Sequence, residues 1–140
     1  MKLIDKIISH TTNVRVRYAE TDKMGYVYNG NYLAYFEVGR CELMRHYGLP
    51  YTLLEAKGYL LPLVESHVSY KIPAVYDDFL DIKATLDFTK ITSTIKFDYE
   101  ISNQGMLVAT GHTIHSFLKE DIRRPVKPPL FFVEMLNSLL

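Results

Sequence analysis

Asn31-Tyr32-Leu33-Ala34-Tyr35-Phe36-Glu37-Val38-Gly39-Arg40-Cys41-Glu42-Leu43-Met44-Arg45-His46-Tyr47 is the stretch on which the fold turns. Leu33, Phe36, Leu43, Met44 and Tyr47 fall within one stripe at about 100° per residue, which predicts a helix with one face on a core. Gly48 and Pro50 then stop it. Glycine accepts the left-handed backbone beyond a helix end, and proline has no N–H with which to continue the ladder.

Outside this segment the apolar period is two. Upstream, Val14, Val16 and Tyr18 alternate with Arg15 and Arg17, predicting a short first strand over residues 13–18. Downstream, after a link from Tyr51 to Tyr59, the run from Leu60 to Ile72 reads as a strand with Val64, Val68, Tyr70 and Ile72 on one side, and Pro62 and Pro73 mark its limits. A turn at Tyr76-Asp77-Asp78 precedes Leu80, Ile82, Ala84, Leu86 and Phe88, which alternate with Asp81, Lys83, Thr85 and Asp87. Ile95, Phe97, Tyr99 and Ile101 continue the period, Ser102-Asn103-Gln104-Gly105 turns the chain, and Leu107 to Leu118 supplies a long final strand. Pro128-Pro129 can open a last helix from Leu130 to Leu139, or this segment is a tail that packs on a partner. One initial strand, one long helix and a four-strand meander make an α+β chain, with an antiparallel sheet wrapped around the helix.

The chain has 140 residues, enough for one domain with a real core, so residues 1–140 are expected to form a single unit. Lys plus Arg equal Asp plus Glu at 16 each, so no overall basic field points to nucleic acid and any anion site must be local. No segment approaches the roughly 20 apolar residues of a membrane span, and Met1 to Ile8 lacks the uninterrupted apolar core of a signal peptide, so a cytoplasmic location is expected. Cys41 is the single cysteine and reads as a packing residue on the helix. His67, His112 and His115 lie on predicted strands without the spacing of a metal set, and core or interface roles are expected for them.

Between the first strand and the helix lies Tyr18-Ala19-Glu20-Thr21-Asp22-Lys23-Met24-Gly25-Tyr26-Val27-Tyr28-Asn29-Gly30. This places the Asp22 carboxylate in a loop close to a helix start, where free backbone amides favour developing negative charge. Asp, Gly and Asn are equally the residues of turns and caps, so spacing alone leaves Asp22 open as either turn residue or catalyst. The longer string is more specific. Val14-Arg15-Val16-Arg17-Tyr18, Glu20-Thr21-Asp22, Met24-Gly25, Val27-Tyr28, Asn31-Tyr32, Phe36-Glu37 and Arg40 resemble the opening of the hotdog-fold acyl-CoA thioesterases, in the branch that includes 4-hydroxybenzoyl-CoA thioesterase. The match holds in order and spacing from Val14 to Arg40, and the later strand pattern fits the same fold over nearly the whole chain. It is specific for family and not for substrate.

The resemblance implies a hotdog fold and hydrolysis of an acyl-CoA to free acid and coenzyme A. It implies that Asp22 acts as nucleophile or general base and that the Asn29 backbone amide is the oxyanion donor. Many relatives carry His where this chain has Asn29, which puts any His-dependent step in doubt but leaves a backbone donor unaffected. Gly25, Tyr28, Asn31 and Tyr32 are expected beside the substrate, Gly25 by letting the loop turn back toward the helix and Asn31 and Tyr32 by orienting substrate across the dimer seam; an N-cap role for Asn29 or Asn31 and packing for Tyr32 are the alternatives. A homodimer with joined sheets, or a homotetramer, is implied as well, with no cofactor beyond the coenzyme A of the substrate.

Coenzyme A brings several phosphates, for which Arg123 and Arg124, next to Lys127, form the densest basic cluster and Lys90 a second candidate; a solvated connection is the equal alternative. Glu37 and Arg40, three apart on the helix stripe, are expected to form a buried ion pair. Glu20 could raise the pKa of Asp22 if the two carboxylates approach. Two other functions use the same residues: hydrolysis of an acyl group on acyl carrier protein, and non-catalytic binding of acyl-CoA. A hydratase is disfavoured, because no His lies between Asn13 and Arg45 to complete an acid–base pair.

Overall fold

Alternation of apolar and polar residues builds the sheet, and one amphipathic helix fills its hollow face. The computed structural model describes residues 7–139. In chain order it has β1 (Ile7–Arg15), α1 (Asn31–His46), α2 (Tyr51–Ala56), β2 (Tyr59–Leu60), β3 (Leu63–Tyr70) and β4 (Phe79–Asp87), then β5 (Thr94–Asn103), β6 (Met106–Ser116), β7 (Leu118–Lys119), β8 (Arg124–Pro125) and α3 (Leu130–Ser138). The five long strands form one antiparallel sheet in the order β1-β4-β5-β6-β3, and β2, β7 and β8 form a smaller one. The α+β class and the five-stranded sheet expected from the sequence are both present.

The connectivity is not a four-strand meander. β3 pairs with β6, from Leu63↔His115 to Tyr70↔Ala109, so it lies at the sheet edge beyond the last long strand instead of beside β4. Hydrophobic period identifies strands but not partners, and here a return across the open end of the sheet sets the order. The first strand also differs from expectation. It runs from Ile7 to Arg15 in register with β4 (Ile7↔Asp87 to Arg15↔Phe79), and Tyr18, 77% exposed, begins a turn of 3-10 helix. Leu60 to Ile72 is not one strand but β2 and β3, separated at Leu61-Pro62, and the link from Tyr51 contains the short helix α2.

Tyr32, Tyr35, Phe36, Leu43 and Met44 of α1 are buried against the sheet. Opposite them stand Leu80, Ile82, Ala84 and Leu86 of β4 and Ile95, Phe97, Tyr99 and Ile101 of β5, all buried. Phe36 stacks on Tyr99 with ring centroids 4.3 Å apart and planes within 4°. Gly111 makes that stack possible, because a Cβ there would lie 2.6 Å from the Phe36 ring and would also collide with the His67 carbonyl oxygen. The outer face is polar, as the alternating Asp81, Lys83, Thr85 and Asp87 required. α3 packs on its own chain, Phe132 meeting Phe117 at 5.4 Å between centroids. No helix among the described residues is long and apolar enough to cross a membrane.

Candidate active site

The loop from Glu20 to Tyr28 is a small hairpin pinned on both sides. Asp22 N–H donates to Tyr26 O at 2.7 Å, Gly25 N–H to Asp22 O at 3.0 Å, and Tyr28 N–H to Glu20 O at 2.8 Å. Gly25 closes the turn at φ 83°, a backbone that other residues adopt only with strain. Val27 N–H donates to Ala74 O at 2.8 Å, tying the hairpin to the segment after β3. At the helix start, the Asn31 side-chain amide donates to Glu20 O at 2.8 Å.

Asp22 uses its two carboxylate oxygens differently. Oδ1 accepts the N–H of Met24 at 2.9 Å and of Tyr26 at 3.1 Å, whereas Oδ2 has no hydrogen-bond partner among the described residues. One oxygen holds the loop and the other is free for chemistry. The structural and catalytic readings of this residue are therefore compatible.

Asn29, at the turn into α1, has its carbonyl fixed by the Tyr32 N–H at 3.2 Å and the Tyr70 hydroxyl at 3.4 Å, while its own N–H has no acceptor among the described residues. Such an amide at a helix start can stabilise an oxyanion. Asp22 and Asn29 line one cleft of about 360 Å³, together with Tyr26, Tyr32, Tyr70, Lys71 and Pro73. Tyr32 is buried at its floor and meets Tyr70 edge-on at 5.1 Å; burial pushes its phenol above the ordinary range.

The remaining sequence candidates divide. Tyr32 lines the cleft. Gly25 shapes the loop from outside it, Tyr28 is exposed and does not line it, and Asn31 is spent on the Glu20 carbonyl. Lys90 sits beside Asp87 at 4.0 Å, and Arg123 and Arg124 lie at the β7–β8 hairpin; none of the three lines the cleft. Glu20 is turned to Arg17, whose N–H it accepts at 2.8 Å, and to the Tyr35 hydroxyl at 3.0 Å. That bond and burial raise the Tyr35 phenol, with burial the larger effect.

The expected Glu37–Arg40 ion pair does not form. Glu37 is exposed, and Arg40 turns inward beside Tyr99 and His115, opposing the upward push that burial gives the Tyr99 phenol. A residue step of three on a helix permits a pair but does not require one when an aromatic hydroxyl lies closer to the core.

Sequence reading missed Tyr70, Lys71 and Pro73, which form the far wall of the cleft from the end of β3. Only the pairing of β3 beside the loop brings them there, and no local pattern announces it.

Residues 16–136 match the family model described as the thioesterase-like superfamily. The chain belongs to that superfamily. A putative acyl-CoA thioesterase of Bacillus subtilis, YneP, is 35% identical over 115 residues, covering 81% of this chain and 83% of the relative. The crystal structure of a DHNA-CoA thioesterase from Staphylococcus aureus superposes with a TM-score of 0.85 at 32% identity, over 94% of this chain and 90% of that one. The 4-hydroxybenzoyl-CoA thioesterase of Pseudomonas sp. strain CBS-3 superposes with a TM-score of 0.78 over 91% of this chain and 98% of that one; at 22% identity it establishes the shared hotdog fold.

Proposed function

We propose that this acyl-CoA thioester hydrolase works through Asp22 and the Asn29 amide. The observation that carries the reading is the division of labour at Asp22: Oδ1 is held by two loop amides, Oδ2 has no hydrogen-bond partner among the described residues, and Asp22 lines the same cleft as Asn29, whose N–H has no acceptor among them. Attack on the thioester carbonyl places negative charge on its oxygen, which the Asn29 N–H would receive. In one route Asp22 attacks directly, the thiolate leaves as coenzyme A, and water hydrolyses the mixed anhydride. In the other, Asp22 takes a proton from the attacking water and the tetrahedral intermediate expels the thiolate. Both end in free acid and coenzyme A.

Neither route calls for a metal or redox cofactor, because base or nucleophile and oxyanion donor are all protein groups. The free edge of β3 supports a homodimer that joins two sheets across a two-fold axis, and a homotetramer would pair two such dimers. The cytoplasm is the compartment we assign, where acyl-CoA esters are met. Aromatic, short and long acyl-CoA esters, assayed for free thiol, test the function. Release of coenzyme A from at least one class is expected. No release from any of them, with turnover of the same acyl groups on acyl carrier protein, would transfer the activity to the carrier-bound substrates.

A further inference from the structure

Four tyrosines of the core and cleft differ in the use they make of the phenolic proton. Tyr35 donates to Glu20 Oε1 at 3.0 Å, Tyr70 donates to the Asn29 carbonyl at 3.4 Å, and Tyr99 pairs with the Thr113 hydroxyl. Tyr32 has no such acceptor among the described residues. The backbone amide of Ala74 lies against its oxygen and acts as a donor, which leaves the phenolic proton unspent. Nor is the hydroxyl sealed in, because the fully buried side-chain atom without a partner, among the described residues, is Asn137 Oδ1. Tyr32 Oη therefore opens on the cleft that this residue lines with Asp22 and Asn29.

The ring is held while its hydroxyl is left free. Only 3% of the residue is exposed. Tyr70 meets the ring edge-on at 5.1 Å between centroids and Tyr35 at 6.0 Å, so two neighbouring aromatics restrict its rotation. Tyr32 is the second residue of α1, and side chains on a helix lean toward its N-terminus, which inclines the phenol toward the turn that carries Asn29. Asp22 is close enough to act on it electrostatically. Burial raises the phenol above its ordinary range, the Ala74 amide opposes part of the rise, and Tyr70 and Asp22 add to it, so Tyr32 keeps its proton at neutral pH.

Stability alone does not ask for a fixed donor with no acceptor, whereas an oxyanion hole requires one. Resting on the hydrolase reading above, we propose that Tyr32 is a further catalytic residue, whose hydroxyl joins the Asn29 N–H as the second donor to the oxyanion. When Asp22 or its water attacks the thioester, the carbonyl π pair moves onto oxygen, and the phenol hydrogen-bonds that oxygen while keeping its own proton. The pair returns as the C–S bond breaks and the thiolate leaves. A charged oxygen gains more from the phenol than a neutral carbonyl does, so the bond acts on the rate and not on binding.

The test is the single-turnover rate of thiol release by Tyr32→Phe, which keeps the ring and removes the hydroxyl. Acetyl-, octanoyl- and benzoyl-CoA serve as probes. On the best of them the rate falls about 10- to 100-fold, the worth of one hydrogen bond to a charged group, while affinity for the non-hydrolysable thioether of the same acyl group is unchanged. Difluorotyrosine in place of Tyr32 carries the test if Tyr32→Phe does not fold. Its more acidic phenol donates more strongly, so thiol release is faster below the pH at which the phenol ionises and falls away above it, where the wild-type rate is still level. The proposal is overturned by a Tyr32→Phe rate within a few-fold of wild type, by a loss in thioether affinity without a loss in rate, or by a fluorinated protein with the wild-type pH profile. Tyr32 would then be the packed floor of the cleft. A wild-type protein that releases no thiol from any of the three esters overturns the hydrolase reading instead.

Discussion

Replacing Asp22 by Asn and by Ala separates the two jobs of its carboxylate. Asn keeps an oxygen where Oδ1 accepts Met24 and Tyr26, at 2.9 and 3.1 Å, and puts an amide nitrogen where Oδ2 has no partner. The loop should survive, at a stability cost below about 1 kcal/mol, since only the charge on the acceptor is lost. Ala removes the acceptor of two N–H groups in a largely exposed loop, and by analogy with losing a helix cap should cost about 1 kcal/mol. Chemistry orders the variants differently. Neither side chain can attack or take a proton, so both should lose about 10²- to 10⁴-fold in kcat, the range for removing a general base. Thiol release at saturating acyl-CoA gives the first quantity, and urea unfolding the second. If Asp22→Asn turned over substrate within a few-fold of wild type, Asp22 would be a turn residue and the chemistry would lie elsewhere. If the two variants were equally destabilised, the Oδ1 contacts would not hold the loop.

Gly111→Ala should cost more than about 3 kcal/mol or abolish folding, because the new methyl meets both the His67 carbonyl and the Phe36 ring; a thermal melt within a few degrees of wild type would contradict this. Tyr35→Phe removes the bond to Glu20 at 3.0 Å and should cost about 1 kcal/mol in urea unfolding, with a few-fold loss in kcat as the Glu20 anchor loosens. His115, with a folded pKa near 4 against an ordinary value near 6.5, refuses a proton that the unfolded chain accepts. Stability should therefore be level above pH 6.5 and fall as the pH drops toward 4, by at most on the order of 3 kcal/mol from this group. His115→Gln should flatten the slope between pH 6.5 and 5, and an unchanged slope would refute the assignment.

What the sequence revealed was local. The stripe on α1, the stop at Gly48 and Pro50, and the alternation of β4 and β5 each depend on neighbours within a turn or a strand, and each reappears at nearly its expected place. Errors came where distant segments decide. The extent of β1 depends on its register with β4, and the edge position of β3 depends on β6, whose residues lie some distance along the chain. Arg40 looked like a partner for Glu37 because helix spacing allows it, yet the choice was made by Tyr99 on β5.

The same distinction governs the candidate site. Asp22, Gly25 and Asn29 were legible because a single loop carries them, and loop chemistry fixes their relation before any long-range contact forms. The far wall was illegible because Tyr70 and Lys71 reach the loop only through β3. Yet that wall helps hold the proposed oxyanion donor: the Tyr70 hydroxyl and the Tyr32 N–H share the Asn29 carbonyl, orienting the peptide unit on the amino side of which the free N–H lies. The hairpin that carries Asp22 is in turn tied to the segment after β3 through Val27 and Ala74. Acid and donor are thus both fastened to the end of the same edge strand, so a shift of β3 would move them together and preserve their spacing.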